Sequence, residues 1–340
     1  MDTITQITLG AAVGESVLGR KIGYRAAAWG AFLGTLPDLD VIANPFLDSV
    51  GEIRLHRGIT HSLLFVAVMS PLFGVMIDRI HKKLEVGWGR WSLVTALIFI
   101  THILIDVTTT YGTQVLYPFS NLPLTTDSIF IIDPFYTVPL LLGLLTALFI
   151  NRESRLRRGA VRAGLLISSL YLIWGFGIKA HVHSVFDASF SHQYGYYDKI
   201  KTTPTGPGSA LWTGYIVQGD TLYQSLYSIS DESTDLKFRK IPRNSDLIEP
   251  YRNDRAVETL LWFSRGFYTV EKKGNDLYFF DLRFGRNDFW LFEQGDADYV
   301  WQNRILIDES GEADHFELAT PEFRARMSTL SRFIDRSFGS

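Results

Sequence analysis

PDLDVIANPFLDSVGEIRLHRGITH, Pro37 to His61, places Asp38, Asp40, His56 and His61 in one short stretch, with Arg57 among them. It is answered further along by THILID, which spaces His102 and Asp106 four residues apart. On a helix those two positions share a face, so their side chains can point at one common atom. Both segments are bordered by strongly apolar sequence. Ionisable groups buried without partners in such surroundings cost several kcal/mol, so something must hold them there. A metal ion is the simplest candidate.

The surrounding chain explains why those charges stand out. Residues 1–180 hold 15 Lys/Arg against 12 Asp/Glu, whereas residues 181–340 hold 18 against 24. Nearly all long apolar runs also fall before Lys179. Six of them follow one another: Ile4–Leu18, Tyr24–Leu36, Leu63–Ile77, Trp91–Ile105, Phe135–Ile150 and Gly159–Ile178. Most are shorter than the ~20 residues that a bilayer core asks of a helix. Their succession, with short basic segments between them, nevertheless predicts a polytopic membrane bundle of about six short helices over 1–180. The first two runs are rich in Ala and Gly and flank a Gly19–Gly23 turn, the composition of a closely packed helical hairpin.

Basic residues give the bundle an orientation. Arg20, Lys21 and Arg25, then Arg79, Lys82, Lys83 and Arg90, then Arg152, Arg155, Arg157, Arg158 and Arg162 occupy alternate inter-helix segments. Positive residues favour the cytoplasmic side. The ligand candidates and everything after Lys179 are then expected on the other side, outside the cytoplasm. No cleavable signal peptide is legible, since the first residues carry Asp2 and no basic stretch.

Residues 181–208 read as a helical extension and linker, closing on the turn cluster Thr203–Gly208. Residues 209–340 read as a soluble α+β domain. Strands are predicted at Ala210–Val217, Thr221–Ile229, Gly266–Glu271, Leu277–Arg283 and Phe289–Phe292, with a hairpin turn at Lys273–Asp276. Helices are predicted at Asp254–Ser264 and Pro321–Phe338. Nothing here suggests a nucleic-acid partner, and no glycine-rich nucleotide loop is present.

The chain has no cysteine, so any metal must be held by His, Asp, Glu or water. Asp38, Asp40, His56, His61, His102 and Asp106 together suit zinc or a similar divalent ion, and more than four candidates suggests two or more ions. In an extended segment, Asp38 and Asp40 would share a face and converge. Sites of this type activate water for displacements such as phosphoester hydrolysis. In that chemistry Asp38 or Asp40 would serve as general base, and Arg57, with Arg54 as the weaker candidate, as a clamp for an anionic group. Thr108–Tyr111 could add supporting hydrogen bonds. Asp133, just before Pro134, suits a helix N-cap better than a ligand.

Gly34 with Pro37–Asp40, His56–Gly58 with Thr60–Ser62, Thr101, His102 and Asp106, and Thr110–Gln114 occur in an order that resembles the bacterial membrane-bound metal-dependent hydrolases, the YdjM-like proteins. The resemblance covers about residues 1–180. It implies a bacterial inner-membrane location and metal roles for the six candidate ligands. It also implies a distant similarity to zinc-dependent phospholipase C and P1 nuclease. A site at the outer membrane surface is where a phospholipid headgroup lies, so membrane lipids are the expected partners and a lipid or lipid-linked phosphoester the expected substrate. One departure is Thr5-Gln6, where members often carry Thr-His; glutamine is a poor zinc ligand, so one metal position is altered. The competing expectation is a non-enzymatic membrane protein with a structural metal cluster and a partner-binding C-terminal domain.

Overall fold

The computed structural model describes residues 1–274, 276–292, 298–319 and 327–339. Contacts divide the chain into two compact units, Met1–Ile42 with Leu55–Phe176, and Ala43–Arg54 with Gly177–Ser340.

The first unit is helical: α1 (Thr3–Ile22), α2 (Arg25–Thr35), α4 (Leu63–Ile80), α5 (Trp88–Val107), α6 (Pro134–Phe149) and the first part of α7 (Arg155–Tyr194). Each expected apolar run coincides with one of these helices to within a residue at either end, or lies inside it. By length and composition, α4, α5 and α7 could cross a bilayer, while α6 is apolar but shorter. α1 and α2 form the expected close hairpin. A Cβ built on Gly30 would sit 2.2 Å from the Gly10 carbonyl oxygen, so only glycine permits this approach. Leu33, Ile77, Trp91, Phe99 and Ala147 are among the fully buried core residues of this unit. The three basic turns meet at one end. The Lys21 amine bonds the Glu85 carbonyl, and Arg152 lies against Gly23.

The second unit includes α3 (Ser49–Leu55) up to Arg54 and the rest of α7. It also holds two four-stranded antiparallel sheets. One has the order β1 (Lys199–Pro204), β2 (Leu211–Gln218), β3 (Thr221–Ser228), β4 (Arg239–Pro242). The other has the order β5 (Tyr268–Lys273), β6 (Asp276–Asp281), β7 (Gln302–Leu306), β8 (His315–Ala319). α8 (Arg255–Ser264) precedes the second sheet, and α9 (Met327–Ser337) ends the described chain. Of the stretch read as extension and linker, residues up to Tyr194 prolong α7 and Lys199–Pro204 form β1. Lys273 pairs with Asp276 across the β5–β6 hairpin; Asn275 of that turn lies outside the described residues, as do residues 321–326 of the helix expected from Pro321.

Phe289–Phe292 is not a strand. Phe289 and Trp290 have φ of 55° and 62°, in the left-handed region that strands exclude. The Asp288 carboxylate accepts the Trp290 amide at 3.0 Å, and the Trp290 indole donates to the Tyr215 hydroxyl at 3.0 Å. Those two bonds fold the segment inward.

Candidate metal centre

Pro37–Phe46 forms a 3-10 helix, not the extended strand that would align Asp38 with Asp40. With about three residues per turn, positions two apart diverge by roughly 120°. Asp38 therefore faces α5, and Asp40 faces the loop before α4. Asp40 accepts from the Arg57 amide at 3.0 Å and the Thr60 hydroxyl at 3.2 Å, and it pairs with His56 Nδ1 at 3.0 Å. This is the physical reason that Asp40 and His56 stand outside the donor cluster.

The cluster itself comprises Asp38, His61, His102 and Asp106, with one ligand atom from each lying within 4.8 Å of the others. His61 Nε2 is 3.1 Å from His102 Nε2, 3.3 Å from Asp38 Oδ1 and 3.2 Å from Asp106 Oδ2. His102 Nε2 is 3.5 Å from Asp38 Oδ1 and 3.6 Å from Asp106 Oδ2. Four ligands held ~2.0–2.2 Å from a zinc ion in a tetrahedron lie about 3.4 Å from one another. These five separations bracket that value, and the remaining pair, Asp38 and Asp106, lies within 4.8 Å. Among the described residues no second set of this kind occurs, so the geometry suits one ion, not the two or more suggested by the number of candidates.

Proton placement strengthens the case. His102 Nδ1 donates to the Gly34 carbonyl at 2.8 Å, because a carbonyl can only accept. The Thr60 hydroxyl gives its proton to Asp40, so it accepts from His61 Nδ1 at 3.0 Å. Both imidazoles thus turn Nε2 lone pairs toward two carboxylates. Asp106 Oδ2 is enclosed with no hydrogen-bond partner. Four acceptors facing each other require a cation, and a metal ion fits that requirement. A proton is the substitute. Burial disfavours the imidazolium of His61, but the Asp106 and Asp38 carboxylates facing it outweigh burial and raise its pKa. Burial also disfavours the Asp38 carboxylate, but with that proton in place its contacts with His102 and His61 hold it well below its usual range.

The other wall of the cluster is built to carry charge. Asp106 Oδ1 receives Arg57 Nη2 at 3.1 Å, Gln6 Nε2 at 3.1 Å, and the amino group of Met1. Arg57 is buried, bonds Thr109 at 3.0 Å, and stacks its guanidinium over Tyr111 at 5.1 Å. Its backbone is left-handed, φ 55°. Arg54 instead turns to Glu258 at 3.0 Å and Thr259 at 2.7 Å within the second unit. Asp133 caps α6 through the Phe135 amide at 3.0 Å. Thr60 and the Gly34 carbonyl emerge only from the structure, although both belong to quoted motifs. Gln6, flagged as a departure, lines the cluster, and its Oε1 is enclosed without a partner.

A helical unit with apolar spanning candidates and an internal His/Asp group that could hold a metal ion defines the class: a membrane protein with a candidate metal site. The chain belongs to the YdjM inner membrane protein family, which matches residues 1–182. It is 34% identical over 125 residues to the inner membrane protein YbcI of Escherichia coli K12, covering 35% of this chain and 68% of that one. It is 33% identical over 149 residues to the uncharacterized protein YfhP of Bacillus subtilis 168, covering 40% of this chain and 42% of the relative. No solved structure matches the chain.

Proposed function

We propose that this protein is a membrane-embedded, metal-dependent hydrolase of phosphoesters, acting on a lipid or lipid-linked substrate at the outer surface of the bacterial inner membrane. The observation that carries this reading is the cluster of four acceptor atoms within 4.8 Å of one another, with both imidazole Nδ1 protons directed away from it. A zinc-class ion held there would supply Lewis acidity toward a phosphoryl oxygen and an acidified water. Asp38 is the donor closest to solvent, its side chain 22% exposed, whereas those of His61 and Asp106 are fully enclosed. It is therefore the group placed to take a proton from an attacking water. Asp40 orients His61 through Thr60 and does not itself reach the cluster. Arg57 steadies Asp106 and supplies the positive field that an anionic substrate meets.

A second reading rests on a specific feature: four protein donors gathered within 4.8 Å of one another make a closed set, the habit of structural zinc sites. The two readings part on Asp38→Asn. Purified protein is assayed for bound zinc by elemental analysis and for cleavage of bis(p-nitrophenyl) phosphate and phospholipid. Hydrolysis by wild type that falls at least 100-fold in Asp38→Asn, with Tm little changed, supports the enzyme. Metal-replete protein with no phosphodiesterase activity, and a large Tm loss in Asp38→Asn, supports the structural centre. Metal-free protein with an intact fold sinks both.

A further inference from the structure

We propose that the second unit carries a binding pocket for a phosphate-type anion, independent of the His/Asp cluster. A cavity of about 450 Å³ there is lined by Lys199, Arg243, Arg252 and Arg265, with Trp262 at its wall. Among the described residues lining it, Glu249 is the sole carboxylate, and it already pairs with Arg252 at 3.1 Å. Asp220 lies close by, its carboxylate receiving the Ser245 amide at 3.3 Å.

What distinguishes this from an ordinary charged surface is how its cations are held. Lys199 Nζ donates to the Arg265 carbonyl at 2.9 Å, and Arg243 Nη1 donates to the Gly219 carbonyl at 3.1 Å. Arg243 also lies over the Tyr268 ring at 4.4 Å. Neutral carbonyls and a ring face fix the positions of these groups without neutralising them. Like charges are thereby gathered in a concave site where their fields add, and this favours an incoming anion. Lys199 Nζ and Arg243 Nη2 both reach the space over Gly266, 3.1 and 3.8 Å from where its Cβ would be. A side chain on Gly266 would intrude between the two cations.

Arg265 adds an independent observation. It ends α8 in the left-handed conformation, φ 56°, a position where glycine is the residue free of steric cost. An arginine retained there brings a fourth cation to the cavity against local backbone preference. Strain of this kind is commonly kept where a site needs the side chain. Planar guanidinium forks and a lysine point charge are the groups that bind phosphate oxygens. The volume exceeds that of a bare phosphate, leaving room beside Trp262 for a headgroup.

Arg265→Gly provides the test, because it deletes the guanidinium while relieving the backbone. Detergent-purified full-length protein in EDTA, with the metal cluster emptied, is titrated calorimetrically at low salt. The probes are inorganic phosphate, pyrophosphate and dihexanoylphosphatidylglycerol, with dihexanoylphosphatidylcholine as the neutral control. Saturable binding that weakens about tenfold or more in Arg265→Gly, with Tm unchanged or raised, supports the pocket, and Lys199→Gln should weaken it similarly. Binding of phosphatidylglycerol in competition with phosphate identifies a lipid headgroup as the source; binding of phosphate and pyrophosphate alone identifies a free anion. Equal binding by wild type and both variants, or no saturable binding of any anionic probe, overturns the proposal.

Discussion

Thr60 is a side chain with no metal-ligand chemistry of its own, yet the electronic state of the cluster depends on it. Its hydroxyl stands between His61 Nδ1 at 3.0 Å and Asp40 Oδ2 at 3.2 Å, and so fixes which nitrogen of His61 keeps a lone pair for the interior. Outer partners of this kind set ligand orientation and basicity, and losing one costs about 10–100-fold in metal affinity. Thr60→Val should therefore weaken zinc binding by that factor in a competitive chelator titration. Thr60→Ser, which keeps the hydroxyl, should stay near wild type. Equal affinities for all three would remove Thr60 and Asp40 from the support of the site. Sequence reasoning placed Asp40 among the ligands and candidate bases and His56 among the ligands, because residue spacing says nothing about which carboxylate faces inward. The local 3-10 geometry decided that, and propensity does not announce a 3-10 turn after Pro37.

At the scale of elements, the α1–α2 hairpin and the 43–54 segment show two ways in which the fold is pinned. Gly30→Ala forces a methyl group to 2.2 Å from a backbone oxygen, and overpacking of this type costs roughly 1–3 kcal/mol or more. Gly89→Ala, where a Cβ would meet nothing within 4 Å, should instead be neutral or gain up to about 1 kcal/mol of helix propensity. Unfolding of the two variants in mixed micelles tests the contrast. The 43–54 segment is held by polar pairs inside the second unit, with Asp48 bonding Arg255 bidentately and His315 at 3.3 Å. The Arg255 bond lowers the Asp48 pKa from 3.8 to about 2. A depressed folded-state pKa contributes stability that is fully present above pH 3.8 and lost as pH falls through about 2. The pair is partly exposed, so its contribution is at most about 1 kcal/mol. Arg255→Ala should accordingly raise hydrogen exchange in 43–54 at pH 5, and the difference from wild type should vanish near pH 2. The helices were legible because each apolar run is long. β2, β3, β5 and β6 were legible because they alternate or carry aromatics. β1 (KIKTTP), β4 (RKIP) and β8 (HFELA) escaped because sheet-edge strands need only one partner and can stay polar. β7 (QNRIL) escaped despite its interior place, since it buries Gln302 and Asn303.

For the whole molecule, orientation decides which side of the membrane the cluster serves, and the first unit offers a physical argument for it. Gln6 lines the cluster near the start of α1, while Arg20 and Lys21 end the same helix. The fourteen residue steps from Gln6 to Arg20 span about 21 Å of helix. The basic turns and the cluster therefore lie at opposite ends of the unit. If the basic end faces the cytoplasm, the cluster lies near the outer surface, and α7, starting beside the basic turn, delivers the C-terminal chain to the outside. The chain has no cysteine, so single introduced thiols report this directly. A membrane-impermeant maleimide should label exposed Glu232→Cys in intact spheroplasts, and should label Lys82→Cys only after permeabilisation. The reverse pattern would turn the cluster toward the cytoplasm and replace an outer-leaflet substrate with a cytoplasmic one. Labelling of both positions in intact cells would mean that α7 does not separate two compartments, and the membrane reading of that helix would fall with it.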